Sequence, residues 1–250
     1  MSWTQADADF AAEIAAAAGK LLQEVRASRT WDAKELGKVG DVAANELLCH
    51  AIGTERPDDG LLSEERKCDG SRLAKSRTWI IDPVDGTREY GEERDDWAVH
   101  VALCIDGRPE LGAVALPDAG LVLRSDTPPS LQPLNDPPRM VISRTRPAPE
   151  AIAVAEAIGA ELVPMGSAGA KAMAVVRGLA DIYLHSGGQH EWDNAAPVAV
   201  ALAAGLHATR LDGSPFVYNC AETWVPDLLI CRKELLAQVT DALRATAVAG

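Results

Sequence analysis

Apolar side chains recur at helical spacing over the first thirty residues: Phe10, Ile14, Leu21 and Val25 share one face, and Ala17 and Ala18 fill it in. Thr4 followed by Asp7 has the form of a helix start. A second helix is expected from about Asp41, with Val42, Leu47, Leu48, Ala51 and Ile52 as its apolar positions. The pattern then shortens to that of strands. Residues 77–81 form a compact apolar run ending at Asp82-Pro83. Residues 97–105 predict a longer strand, and Asp106-Gly107 turns it back into 111–116. Asp118-Ala119-Gly120 turns again into 121–124.

Residues 125–138 hold five prolines, at 128, 129, 133, 137 and 138, and are the best candidate for a linker. Beyond them strands at 139–143, 161–165, 181–185 and 227–231 alternate with helices at 148–159, 169–178, after Asp193 and at 235–247. This predicts a layered α/β (α+β) fold in two parts, an N-terminal α+β subdomain over 1–130 and a C-terminal α/β subdomain over 131–250. A chain of 250 residues with 47% hydrophobic and 24% charged residues can bury a substantial core.

The net charge of −13 disfavours a nucleic-acid polymer as partner. It equally repels a phosphorylated metabolite, so a phosphate site in this chain needs cations to reverse the local field. Cys49, Cys68, Cys104, Cys220 and Cys231 are scattered, odd in number and without a C-x-x-C pair, which reads as reduced thiols in a cytoplasmic protein. Asp7, Asp9 and Glu13 stand where a signal peptide needs positive charge, and no apolar run approaches a membrane span.

Three acidic patches stand at strand ends or helix starts: Ser63-Glu64-Glu65, Asp82-Pro83-Val84-Asp85-Gly86-Thr87 and Trp192-Asp193-Asn194-Ala195-Ala196-Pro197. Each has a plain reading alone. Glu64 and Glu65 suit a solvated strand end, Asp82 and Asp85 a turn, and Asp193 a helix cap. Together they suit hard cations, which take oxygen ligands, whereas carboxylates gathered without a cation repel one another. Pro83 fixes a turn that can converge Asp82, Asp85 and the Val84 carbonyl, Gly86 permits close backbone approach, and Thr87 falls near a helix start.

The second patch matches the D-P-x-D-G-T motif of the inositol monophosphatase superfamily of lithium-sensitive, metal-dependent phosphatases, and the chain resembles that superfamily over nearly its whole length. Ser63-Glu64-Glu65 and Trp192-Asp193 through Pro197 match its flanking motifs in order and spacing. Residues 95–100, 166–173 and 211–215 resemble most the CysQ-type 3′(2′),5′-bisphosphate nucleotidases, the actinobacterial 3′-phosphoadenosine 5′-phosphate phosphatases in particular.

The resemblance implies an αβαβα sandwich, a homodimer as the common assembly, and two or three Mg²⁺ (or Mn²⁺) held by Glu64, Asp82, Val84, Asp85 and Asp193. It assigns catalysis to Glu64, Thr87 and Asp41, although the threonine that usually accompanies this aspartate upstream is missing. Glu65 is expected to assist from behind the ligands. Substrate contacts are expected from Gly86, Thr87, Ser143, Arg144, Ser167 and Lys171, with Arg146 as a further cation and 187–191 as a substrate loop. The activity implied is removal of the 3′-phosphate from 3′-phosphoadenosine 5′-phosphate, clearing a by-product of sulfate assimilation. An inositol-1-phosphate or fructose-1,6-bisphosphate phosphatase is the alternative enzyme, and a non-catalytic metal or nucleotide binder the alternative of another class.

Overall fold

The computed structural model describes residues 2–67 and 70–248; Cys68 lies outside them. Helix α1 (Gln5–Ala27) opens on a capping box in which Thr4 and Asp7 satisfy each other's backbone N–H groups. Helix α2 (Ala33–Glu55) begins earlier than expected, because Asp32 caps it by accepting from the N–H groups of Lys34 and Glu35. Asp41 is therefore a mid-helix residue, and Val42, expected in the core, is 58% exposed beside it. Gly37 and Gly40 dilute the helical signal of the first turns. They are there because Thr87 Cγ2 and the Tyr90 ring lie 2.8 and 2.6 Å from where a Cβ would be.

Strands β1 (Gly60–Ser63) and β2 (Arg77–Asp85) pair in parallel. The short helix α3 (Thr87–Gly91) leads to β3 (Ala98–Ile105), β4 (Arg108–Leu116) and β5 (Leu121–Arg124). These run antiparallel in the order β1-β2-β3-β4-β5. Asp106 and Gly107, both at positive φ, make the expected tight turn between β3 and β4.

After the proline-rich segment come β6 (Arg139–Ser143), α4 (Pro149–Ile158), β7 (Glu161–Met165) and α5 (Ala168–Val176). Then follow β8 (Ile182–His190), α6 (Glu191–Ala203), β9 (His207–Thr209), β10 (Trp224–Cys231) and α7 (Leu236–Val248). The second sheet has the order β7-β6-β8-β10-β9. Strand β8 runs on to His190, so the expected loop at 187–191 is instead the end of a strand and the start of α6. Gly187 and Gly188, at φ 101° and 94°, hid that continuation.

Side chains alternate across each strand, so the sheets feed separate cores. Trp79, Ile81, Val99 and Val101 point to α1 and α2, whereas Ile80, Ala98 and Ala102 join α5 and α6. Val141, Tyr183 and Leu228 meet α5 and α6 from the second sheet, and Met140, Leu184 and Leu229 face α4 and α7. The layers are thus helices, sheet, helices, sheet, helices: the αβαβα sandwich. No helix is long and apolar enough to cross a membrane among the described residues.

Candidate active site

The site forms where β2 ends. Asp82 pairs with His100 of β3, yet Asp85 pairs with Ala98, so three steps on β2 match two on β3. Residues three apart in a regular strand face opposite sides; the extra residue of this bulge turns Asp82 and Asp85 to the same side. Asp82 Oδ1 accepts the Val84 N–H at 3.0 Å and closes the turn. Asp193 sits in the first turn of α6, where its carboxylate accepts the His190 N–H at 2.6 Å. One oxygen from each of Asp82, Asp85 and Asp193 lies within 4.8 Å of the others. Glu64, at the end of β1, lines the cavity beside them without joining that triad.

Electrostatics show which partner this arrangement suits. Burial, then Glu64 and Asp85, push the Asp82 carboxyl well above its ordinary range. Burial, then Asp85, raise Asp193 to about 6, and desolvation in the cavity, then Asp193 and Asp41, raise Glu64 to about 8. Such a set of hard oxygen donors resists ionising together unless a cation joins it, and it fits a divalent metal.

Asp85 is the exception. Burial would raise it, but His100, the Ser167 hydroxyl and the Gly169 N–H bring it down to about 2. The Ser167 hydroxyl donates to its Oδ2, and the Ala168 N–H to its Oδ1 at 3.0 Å, so the start of α5 wraps the carboxylate. Gly169 is required there, since a Cβ would stand 2.0 Å from His100 Nε2.

His100 is a functional neighbour that sequence reasoning did not single out. Fully buried, it places Nδ1 3.0 Å from the Trp192 carbonyl and Nε2 3.2 Å from Asp85 Oδ2. The Trp192 carbonyl can only accept, so Nδ1 is the donor there, while Nε2 faces the Asp85 carboxylate without hydrogen-bond geometry. Burial pulls its pKa down, and Asp85 more than offsets this. The ring thus ties β2 to the residue before Asp193. Its sequence signals were a histidine inside an apolar strand and its place at the end of the 95–100 segment, neither of which gives it a role.

Thr87 donates its hydroxyl to the Val84 carbonyl at 3.1 Å. Asp41 comes to the same place from α2. Burial, then Glu65, raise it to about 7 while Thr87 pulls the other way, and its Oδ1 is buried without a hydrogen-bond partner.

Glu64, Asp85, Gly86, Ser143, Ser167, Lys171 and Asp193 line one cavity of about 510 Å³. Gly86, at φ 90°, lets β2 turn into α3 in a conformation that a side chain disfavours. Lys171 is buried, its ammonium donating to the Gly166 and Ser167 carbonyls and lying 5.3 Å from the Tyr183 ring centroid. Burial lowers its pKa to about 8, with Asp85 and Glu89 opposing.

Arg144 does not line the cavity, contrary to expectation: its guanidinium is held by Glu89 at 2.9 Å and by Glu92. Arg146 lines the cavity instead and forms no ion pair among the described residues.

The sequence profile described as inositol monophosphatase family matches residues 3–127 and 138–245. A 3′-phosphoadenosine 5′-phosphate phosphatase of Mycobacterium bovis is 50% identical over 242 residues, covering 91% of each chain. The 3′(2′),5′-bisphosphate nucleotidase CysQ of Shigella flexneri is 30% identical, over 74% of this chain and 80% of that one. The crystal structure of CysQ from Bacteroides thetaiotaomicron superposes with a TM-score of 0.79 at 24% identity, covering 92% of this chain and 98% of that one. Sequence and fold agree: the chain belongs to the inositol monophosphatase family.

Proposed function

We propose that this protein is a Mg²⁺-dependent phosphomonoesterase of the cytoplasm that converts 3′-phosphoadenosine 5′-phosphate and water to AMP and inorganic phosphate. One observation carries the reading. Asp85 and Asp193 of the Asp82–Asp85–Asp193 triad, with Glu64, line a cavity of about 510 Å³ that also offers Lys171 and Arg146. Carboxylates that need a cation serve a scissile phosphate, and a second pair of cations serves a second phosphate. The name of the 50%-identical mycobacterial relative supports the same substrate.

Glu64, Asp82, Asp85, Asp193 and the Val84 carbonyl hold two or three Mg²⁺ in this reading. A cation held there would supply acidity to a water and charge stabilisation to the leaving oxygen. The chain's own groups do the rest. Asp41 and Thr87 orient the attacking water, with Glu65 assisting. The water oxygen bonds to phosphorus, the ester P–O bond breaks, and the departing 3′-oxygen takes up a proton. Gly86 and Thr87 present backbone N–H groups to the phosphate.

Ser167 spends its proton on Asp85, so its hydroxyl can only accept from substrate. Ser143 accepts the Arg146 N–H at 3.2 Å and keeps its proton for substrate. Residues 1–130 supply most of the metal ligands, and 131–250 supply Asp193 and the second-phosphate side.

Phosphate release from 3′-phosphoadenosine 5′-phosphate, inositol-1-phosphate and fructose-1,6-bisphosphate, measured side by side with Mg²⁺, tests the assignment. The nucleotide is expected to give the highest kcat/KM. An equal or higher value on inositol-1-phosphate overturns it, and no turnover on any of the three points to a silent binder.

A further inference from the structure

The cavity's phosphate chemistry does not account for its aromatic wall. Trp224, at the start of β10, lines the cavity with 51% of its surface exposed, and it belongs to none of the three apolar cores. Exposing a large apolar ring has a hydration cost that a fold-building tryptophan does not incur. Its indole lies against Gly188, where a Cβ would stand 2.5 Å from the ring nitrogen. The absence of a side chain at 188 therefore sets where the indole rests. Trp224 pairs across the strands with His190, whose ring stacks on Trp192 at 4.6 Å and 11°. Trp224, His190 and Trp192 all line the cavity, so one stretch of its wall is aromatic.

We propose that Trp224 is a specificity-determining residue, the surface on which the purine base of the substrate stacks. The inference rests on the nucleotide reading above and adds what that reading leaves open, the group that recognises the base. Every base has a flat π-face, and stacking on an aromatic side chain is strong enough to change affinity about tenfold or more. A cavity of about 510 Å³ is in the range that encloses a whole small ligand, so it has room for the base beside the phosphates.

AMP and ribose 5-phosphate share the phosphorylated ribose and differ at C1′, where one has the base and the other a hydroxyl, so the change in the ratio of their dissociation constants between variants reports on the base. Both are measured by calorimetry with Mg²⁺ on the wild type, Trp224→Leu and Trp224→Phe. The preference for AMP is expected to fall about tenfold in Trp224→Leu and to stay within about threefold of wild type in Trp224→Phe. An unchanged preference in Trp224→Leu overturns the proposal, as does an equal fall in both variants. Turnover of 3′-phosphoadenosine 5′-phosphate by the wild type is recorded alongside. Its absence sinks the proposed activity, while the binding ratio still decides the stacking.

Discussion

Replacing Asp82 by Asn separates the metal site from the fold, because it removes a charge at almost constant volume. Asp82 is 1% exposed, and the hydrogen bond from the Val84 N–H to its Oδ1 survives when the amide oxygen takes that place. Asp82, Asp85 and Asp193 form three pairs of charges with oxygens within 4.8 Å. At that separation and an effective dielectric near 20, each pair repels by about 3.5 kcal/mol. The substitution removes two of the three pairs. Proton uptake by the crowded carboxyls already relieves much of this in the metal-free wild type. The remaining gain is on the order of 2 kcal/mol, or about 4–8 °C in Tm for a chain of this size.

Metal reverses the order. At a hundredfold excess over Kd, a ligand bound only by the native state contributes about 2.7 kcal/mol, or roughly 5–11 °C. The wild type is expected to show that shift when Mg²⁺ is added, and Asp82→Asn to show little of it and no turnover. Melting curves with EDTA and with Mg²⁺ provide the measurement. The reasoning fails if Asp82→Asn melts below wild type in EDTA and still gains the full Mg²⁺ shift.

Gly169→Ala drives a Cβ to within 2.0 Å of His100 Nε2 and 3.0 Å of Asp85 Oδ2, and is expected to cost about 1–3 kcal/mol in urea unfolding and at least a hundredfold in kcat. Burial raises the Asp118 carboxyl, but Arg26 and the Trp97 ring N–H, 2.8 Å away, more than offset it and hold its pKa below the ordinary value. Its stabilisation is therefore complete above about pH 4 and is lost as pH falls through the lower native value; urea unfolding between pH 7 and 3 should show a shallower acid limb in Asp118→Asn. Arg144→Ala is expected to change KM for 3′-phosphoadenosine 5′-phosphate less than threefold, since Glu89 and Glu92 hold that charge. Arg146→Ala, removing a cation that lines the cavity, should raise KM about tenfold, the scale of one charge-assisted hydrogen bond; initial-rate kinetics on both variants decide it.

Helix α1, the β3–β4 hairpin and the β2 motif were legible in the sequence because local chemistry alone selects them. Thr4 and Asp7 cap, Asp106-Gly107 turns, and Asp82 through Thr87 follow a buried apolar run. The start of α2 was not legible. Gly37 and Gly40 weaken helical propensity to admit Thr87 and Tyr90, a demand set by distant chain. The reach of β8 past His185 was hidden by two glycines whose positive φ suits the cavity wall. The carboxylates of the site announced themselves by motif, but their partners did not. Whether an arginine after β6 lines the cavity or meets Glu89 depends on which side of the chain it leaves, and neither Arg144 nor Arg146 shows that in its neighbours.

Asp85 ends a strand of the first sheet, and the Ser167, Ala168 and Gly169 groups that hold it begin a helix beyond the proline-rich crossing. The candidate pocket is therefore also a rivet between the two sheets. A cut within 125–138 would leave Asp85 on one fragment and the groups that hold it on the other. In the proposed reading an occupant that touches both sides of that joint is expected to tighten it, so substrate would act on the whole protein as an adhesive as well as a reactant.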